Sequence, residues 1–146
     1  MKVRILWVGK TKEAFLAEGI GKYLALLQPH ADVRVVEIKE EKGGKDPVRA
    51  LRREGERIVK QAETYVLLDE RGREMTSEEL AGFLGDRPRV DFVVGGPHGV
   101  SEDVRRRAAA TLALSRMTLT HEMARLLLLE QIYRAVTIKA GTGYHH

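Results

Sequence analysis

Val90-Asp91-Phe92-Val93-Val94-Gly95-Gly96-Pro97-His98-Gly99-Val100-Ser101-Glu102-Asp103 holds the organising pattern of this chain. A largely apolar stretch, Val90–Val94, reads as a buried strand and gives way at once to a glycine-rich loop. Ser101 then caps a helix predicted to reach about Ala110. Glycines after a buried strand let the backbone approach a ligand closely, and Pro97 stiffens the loop. The loop does not match G-x-G-x-x-G, and no Gly-Lys-Ser/Thr marks a P-loop. Glu102 and Asp103 occupy the helix's first turn, where they satisfy its dipole and repel a phosphate. A ligand without phosphates, held by backbone contacts, fits this unit; an ordinary tight strand-to-helix turn is the plainer alternative.

The same alternation extends in both directions. Strands are predicted at Val3–Val8, Val33–Ile38, Thr64–Leu68 and Thr111–Leu114, the second rich in β-branched residues. Between them, Lys12–Leu27 carries apolar residues at helical spacing and stops at Pro29. A helix over Asp46–Ala62 opens with Asp46 as N-cap and Pro47 at its first position. Thr76 and Glu79 form a capping box after a turn at Asp69–Arg73. The last helix begins near Thr118–Thr120 and runs to about Lys139. Helices between nearly all strands imply an α/β fold, a mostly parallel sheet with helices on both faces. At 146 residues the chain reads as one domain, 1–146. Ligands of such sheets sit at the carboxyl ends of the strands, which selects the loops Asp69–Arg73, Gly95–Gly99 and Ser115–Thr120.

Composition narrows the chemistry. With no cysteine, disulfides, thiolate metal sites and cysteine nucleophiles are excluded. His30, His98 and His121 show no zinc spacing, so no metal is expected. The opening apolar stretch is broken by Arg4 and the longest apolar run is Leu126–Leu129, so neither a signal peptide nor a membrane span is expected, and the protein reads as cytoplasmic. A net charge of +4 permits a nucleic-acid partner without demanding one.

Two C-terminal features carry more information. Leu112-Ala113-Leu114-Ser115-Arg116-Met117-Thr118-Leu119-Thr120-His121 joins a short strand to the long helix through hydroxyl residues and backbone donors. In that helix Glu130 and Arg134 stand at i, i+4, compatible with a local ion pair. Leu126–Leu129 covers nearly the whole circumference of a turn, which suggests burial in the core or against a second copy in a homodimer. The chain then ends Gly141-Thr142-Gly143-Tyr144-His145-His146. A vestigial tag is an alternative source of the two histidines, disfavoured because there are only two and a tyrosine in a Gly-rich turn precedes them.

These segments resemble the RlmH-type family of the SPOUT class, small methyltransferases that modify N3 of a pseudouridine in large-subunit (23S) ribosomal RNA. The resemblance covers essentially the whole chain. It is carried by Val93–Gly99, Leu112–His121, Glu130-Gln131-Ile132-Tyr133-Arg134-Ala135 and Tyr144-His145. It implies a deep C-terminal trefoil knot, although connections normally avoid knots. It further implies S-adenosylmethionine as cofactor, bound by Leu68, Gly96, Ser115, Arg116, Met117, Thr118, Leu119 and Thr120. His145 would serve as base or proton relay, Tyr144 would stack on the target base, Arg134 would orient it or touch phosphate, and Glu130 would anchor Arg134. Many relatives carry proline where Thr120 stands and end in Tyr-His followed by arginine or lysine, where this chain has His146.

Arg105-Arg106-Arg107 and Arg49, Arg52, Arg53 and Arg57 are candidates for RNA phosphate, against the plainer reading of a solvated helix face. Rival functions stay open on the residues alone: a non-catalytic RNA-binding or ribosome-associated module, a nicotinamide oxidoreductase, or a dimeric structural protein. The missing dinucleotide fingerprint and the acidic helix start disfavour the second of these.

Overall fold

A strand buried on both faces has to sit inside a sheet covered on both sides. The first strand, β1 (Lys2–Val8), is such a strand. Val3, Ile5 and Trp7 enter one core cluster and Leu6 and Val8 the other. The computed structural model describes residues 1–146 and places β1 between β2 (Asp32–Ile38) and β4 (Arg89–Val94). With β3 (Val66–Glu74) and β5 (Ala110–Ala113) the sheet has the order β2-β1-β4-β3-β5, and every ladder is parallel.

The crossovers divide between the faces. Helices α1 (Ala14–Leu27), α3 (Ser77–Leu84) and α5 (His121–Ala140) cover one face, with Ile20, Leu27, Leu80, Leu84, Leu128, Leu129 and Ile132 packed on Val3, Ile5 and Phe92. Helices α2 (Pro47–Gln61) and α4 (Glu102–Arg107) cover the other through Ile58 and Val104. The predicted caps form: Asp46 accepts from the Arg49 amide at 3.0 Å with Pro47 in the first turn, and Thr76 and Glu79 close a capping box. Ser101 accepts from the Val104 amide at 3.3 Å. Leu128 and Leu129 are fully buried, while Leu126 and Leu127 remain partly exposed.

Two elements differ from the sequence reading. The stretch Asp69–Arg73, expected as a turn, lies within β3. Leu68 and Arg73 both register with Leu112, so the intervening residues bulge out and the strand then rejoins β5. Gly72 permits the return, because a Cβ there would lie 2.7 Å from the backbone of Thr111. The helix after Ser101 ends at Arg107, short of Ala110. Ala108–Ala110 would favour helix by propensity, yet the Ala109 amide donates to the Tyr65 carbonyl at 3.0 Å and Ala110 registers with Val66. Sheet pairing overrides local preference.

Asp91 is the polar exception in β4, buried at 7% exposure. It is the register partner of Arg4 and accepts from that guanidinium at 2.7 Å, with Arg89 at 3.4 Å. Burial pushes this carboxyl up, but the hydrogen bonds from Arg4 and Arg89 outweigh it and hold it below its ordinary value. A carboxyl depressed on folding contributes stability above its unfolded pKa and loses it as pH falls through the folded one. Asp91→Asn is therefore expected to cost about 1.5–3 kcal/mol at pH 7. The gap from wild type should begin to narrow as pH falls below about 4 and close beneath the folded pKa; urea unfolding across pH measures both.

Candidate active site

Three loops meet at the carboxyl end of the sheet. A cavity of about 610 Å³ opens there, walled by Leu68–Arg71, Val94–Pro97, Leu114, Ser115 and Met117–His121 among others. Its size suits a small molecule. Leu68, Gly96, Ser115, Met117, Thr118, Leu119 and Thr120 all line it, and Arg116 does not. Arg116 instead points across a shallow neighbouring depression toward Glu74, at 3.8 Å.

The cavity walls are held by specific contacts. Gly95, which the sequence reading did not single out by itself, is the tightest point: a Cβ there would come within 2.9 Å of the Gly99 backbone. The Gly99 amide donates to the Gly96 carbonyl at 3.0 Å, which folds the loop back on itself. Thr118 donates to Glu70 at 2.6 Å, so the bulge of β3 braces the loop that leaves β5. Asp69 pairs with Arg105 of α4 on the same wall. Ser115 accepts from the Met117 amide at 3.0 Å, and Thr120 caps α5 by accepting from Met123 at 3.2 Å. Met117 is left 78% exposed at the rim.

Below this loop α5 is pinned by two buried charged residues. Arg125 is fully buried; it donates to the Val8 carbonyl at 2.6 Å and to Thr11 Oγ1 at 3.0 Å, with its guanidinium 4.9 Å from the Trp7 ring centroid. Glu122 accepts from the Lys12 and Glu13 amides at 2.8 and 3.0 Å, serving the start of α1, which has no side-chain cap of its own. The Glu13 amide, more than any other contact, holds the Glu122 carboxyl below its ordinary value. Burial, followed by the Arg125 charge, pushes the adjoining His121 imidazole down.

The four residues assigned to catalysis by resemblance form a second cluster. Arg134 donates to Glu130 at 2.6 Å, and the Tyr144 hydroxyl donates to the same carboxylate oxygen at 3.1 Å. The Arg134 guanidinium lies 4.8 Å from the Tyr144 ring centroid. Tyr133 meets Tyr144 edge-on at 4.7 Å, and the Tyr23 hydroxyl sits 3.4 Å from that of Tyr144. Hydrogen bonding to Tyr23, with burial and Glu130, pushes the Tyr144 phenol well up, so it stays protonated. His145 Nδ1 lies 3.1 Å from Arg134 and Nε2 lies 2.7 Å from Glu78. A guanidinium only donates, so Nδ1 accepts and Nε2–H donates to the carboxylate: a neutral imidazole in one tautomer. None of these four residues lines the cavity. Arg134 lies thirteen positions beyond His121 on α5, about 20 Å along the axis.

Residues 1–145 match the family described as "Predicted SPOUT methyltransferase". The chain belongs to the SPOUT methyltransferase family. A "Ribosomal RNA large subunit methyltransferase H" of Geotalea uraniireducens is 46% identical, with all of both chains covered. The protein of the same description from Thermodesulfovibrio yellowstonii is 42% identical over 99% of each chain. Among solved structures, a methyltransferase from Legionella pneumophila in complex with bound SAM aligns with a TM-score of 0.54 at 15% identity. A methylase-family protein from Haemophilus influenzae gives 0.55 at 13%. The alignments take in 92% and 97% of this chain but 66% and 67% of those two, so they show a shared fold.

Arg125 gives a direct check on how this SPOUT domain is held together. Arg125→Met keeps much of the side chain's bulk but strands the buried Val8 carbonyl. It is expected to lower stability by about 1–3 kcal/mol, read as the shift in urea midpoint at constant m-value.

Proposed function

We propose that this SPOUT methyltransferase transfers a methyl group from S-adenosylmethionine to large-subunit ribosomal RNA, at N3 of a pseudouridine. The observation that carries the reading is the cavity between the Gly95–Gly99 and Ser115–Thr120 loops, in a chain 46% identical along its whole length to a large-subunit rRNA methyltransferase. The residues present fit the cofactor. Gly95 lets the Gly99 backbone pack against it, which sets the shape of the loop beside the cavity, and Leu68 and Leu119 offer apolar wall. Glu102 and Asp103 at the start of α4 disfavour a phosphate, which this cofactor lacks. Leu68, Gly96, Ser115 and Met117–Thr120 would hold it, with Arg116 at the outer edge. Bound S-adenosylmethionine supplies an electrophilic methyl on a sulfonium.

The tail residues supply positioning and the proton path. Tyr144, kept neutral by its partners, offers a ring on which a base stacks. Arg134, anchored on Glu130, orients that base or a neighbouring phosphate. His145 takes the N3 proton at Nδ1 once Arg134 turns from it to the RNA, and Glu78 stabilises the imidazolium through Nε2–H. The distance of this cluster from the cavity along α5 supports a homodimer in which one copy's tail completes the other's cavity. Phe15 on α1, 65% exposed, and the partly exposed Leu126 and Leu127 on α5 supply apolar surface for such a pairing. The single domain spans 1–146 and works in the cytoplasm, and its C-terminal segment threads the knot of its class.

Calorimetry should show that wild type binds S-adenosylmethionine and that Gly95→Ala weakens this at least tenfold, while His145→Ala binds normally but loses turnover by about 10²–10⁴-fold. Wild-type turnover in His145→Ala would remove the base assignment. Mixing the two variants should restore activity through mixed dimers; a mixture as inactive as its parts would exclude a shared site. Mass spectrometry of rRNA methylated in vitro locates the modified atom.

A further inference from the structure

The structure separates two arginine groups that look alike in sequence. Arg106 and Arg107 both donate to Asp103, at 2.8 and 2.9 Å, and Arg105 pairs with Asp69. All three have a carboxylate partner on α4 or the cavity wall, Arg106 and Arg107 sharing one. On α2 the outcome is different. Its buried face is Ala50, Glu54, Gly55 and Ile58. The opposite face gathers Arg49, Arg52, Arg53, Arg57 and Lys60 around a shallow surface groove, with Glu56 the sole carboxylate in its wall. Arg57 is occupied by Glu41 and the Lys39 carbonyl. Arg49, Arg52, Arg53 and Lys60 are exposed and make no salt bridge, although Arg53 adds its field to that of Arg57 on Glu41.

The geometry points to this face of α2 as a docking surface for the phosphate backbone of RNA, separate from the reacting site. The inference rests on the rRNA-methyltransferase reading for its partner and on α2 alone for its location. Four unneutralised cations run along one stripe of a 15-residue helix, about 16 Å from Arg49 to Lys60. Such an array matches a polyanion of regularly spaced charge and offers neither the apolar anchors nor the aromatic residues of a protein-binding hot spot. The stripe is also rigidly tied to the cavity. Gly55 lets α2 lie directly on α4, where a Cβ would fall 2.6 Å from Ser101 Oγ. Ser101 follows Val100, a lining residue of the cavity. A backbone held on α2 is thereby fixed in distance from the cofactor loops.

The test replaces Arg49, Arg52, Arg53 and Lys60 together by glutamine and measures binding of purified large-subunit rRNA across a salt series. With about 0.7–0.9 counterions released per phosphate contact, loss of four contacts should lower the slope of log affinity against log salt by about 3–4, and binding should weaken by about 10–100-fold near 0.1 M salt. S-adenosylmethionine affinity and thermal midpoint should match wild type, with RNA KM raised and kcat unchanged. An all-lysine version of the three arginines should keep the wild-type slope. A glutamine variant with unaltered slope overturns the proposal, and so does one that loses affinity for intact ribosomes but binds protein-free rRNA normally, which would assign α2 to a ribosomal protein. Methyl transfer by wild type separates this from the broader reading: rRNA methylation with an unaltered slope overturns the α2 surface alone, whereas absence of any rRNA binding or methylation overturns both.

Discussion

The buried guanidinium of Arg125 joins the two ends of the chain. It hydrogen-bonds the last residue of β1 and the loop before α1, lies against Trp7, and belongs to the second turn of α5. Everything that leaves β5 must therefore return across the sheet to this point before α5 can pack between α1 and α3. Glu122, one turn earlier, completes the joint by serving the open amides at the start of α1. Burial pulls the Arg125 pKa down while Glu122, Glu37 and Glu40 push it up. The charge is retained because an arginine begins far above neutral pH. The Ser115–Thr120 loop is stretched between two fixed ends, β5 and this joint, and its shape follows from that more than from its own residues, which include neither glycine nor proline.

That distinction explains what could be read from the chain beforehand. The strand order of hydropathy, the caps at Asp46, Thr76 and Ser101, and the breaks at Pro29 and Gly95 are local, and local physics places them. The Glu130–Arg134 pair is local too, and spacing alone suggested it. The return of β3 after its bulge is not local. Asp69-Glu70-Arg71-Gly72-Arg73 has the composition of a turn, and only its pairing with Leu112 and Ala113 makes the flanking residues strand. The early end of α4 has the same origin. Arg125 stood in the sequence as one more cation on a long helix, and its burial followed only once Trp7 and Val8 were brought against it. Gly95 could have been found earlier by asking which glycine of the loop has backbone on its Cβ side, a question that needs the fold.

Charge shows the same division. A net charge of +4 says little, because most of the arginines have a carboxylate assigned to them. Arg4 has Asp91, Arg105 has Asp69, Arg106 and Arg107 share Asp103, and Arg134 has Glu130. Such pairs add little stability when exposed. Their larger effect is on the field, since each removes a cation from the surface that a polyanion would meet. Four cations without a carboxylate partner, Arg49, Arg52, Arg53 and Lys60, are gathered on one face of α2, so the molecule carries a local concentration of charge that its composition does not disclose.

The tail extends that argument to reactivity. His145 is held by a donor on one nitrogen and a carboxylate on the other, so in this state its lone pair is engaged and its proton is committed. Tyr144 is fixed by Glu130, Tyr23 and Tyr133 in the same cluster. A side chain with both nitrogens satisfied is a poor base until one partner leaves, and the partner that can leave is Arg134, whose guanidinium prefers phosphate or a polarised base edge when one is offered. On the proposed roles of Arg134 and His145, arrival of the polyanion and release of the imidazole lone pair would be the same event. The ion pair Glu130–Arg134, trivial as a stabilising contact on a helix surface, is the element that would couple binding to proton acceptance.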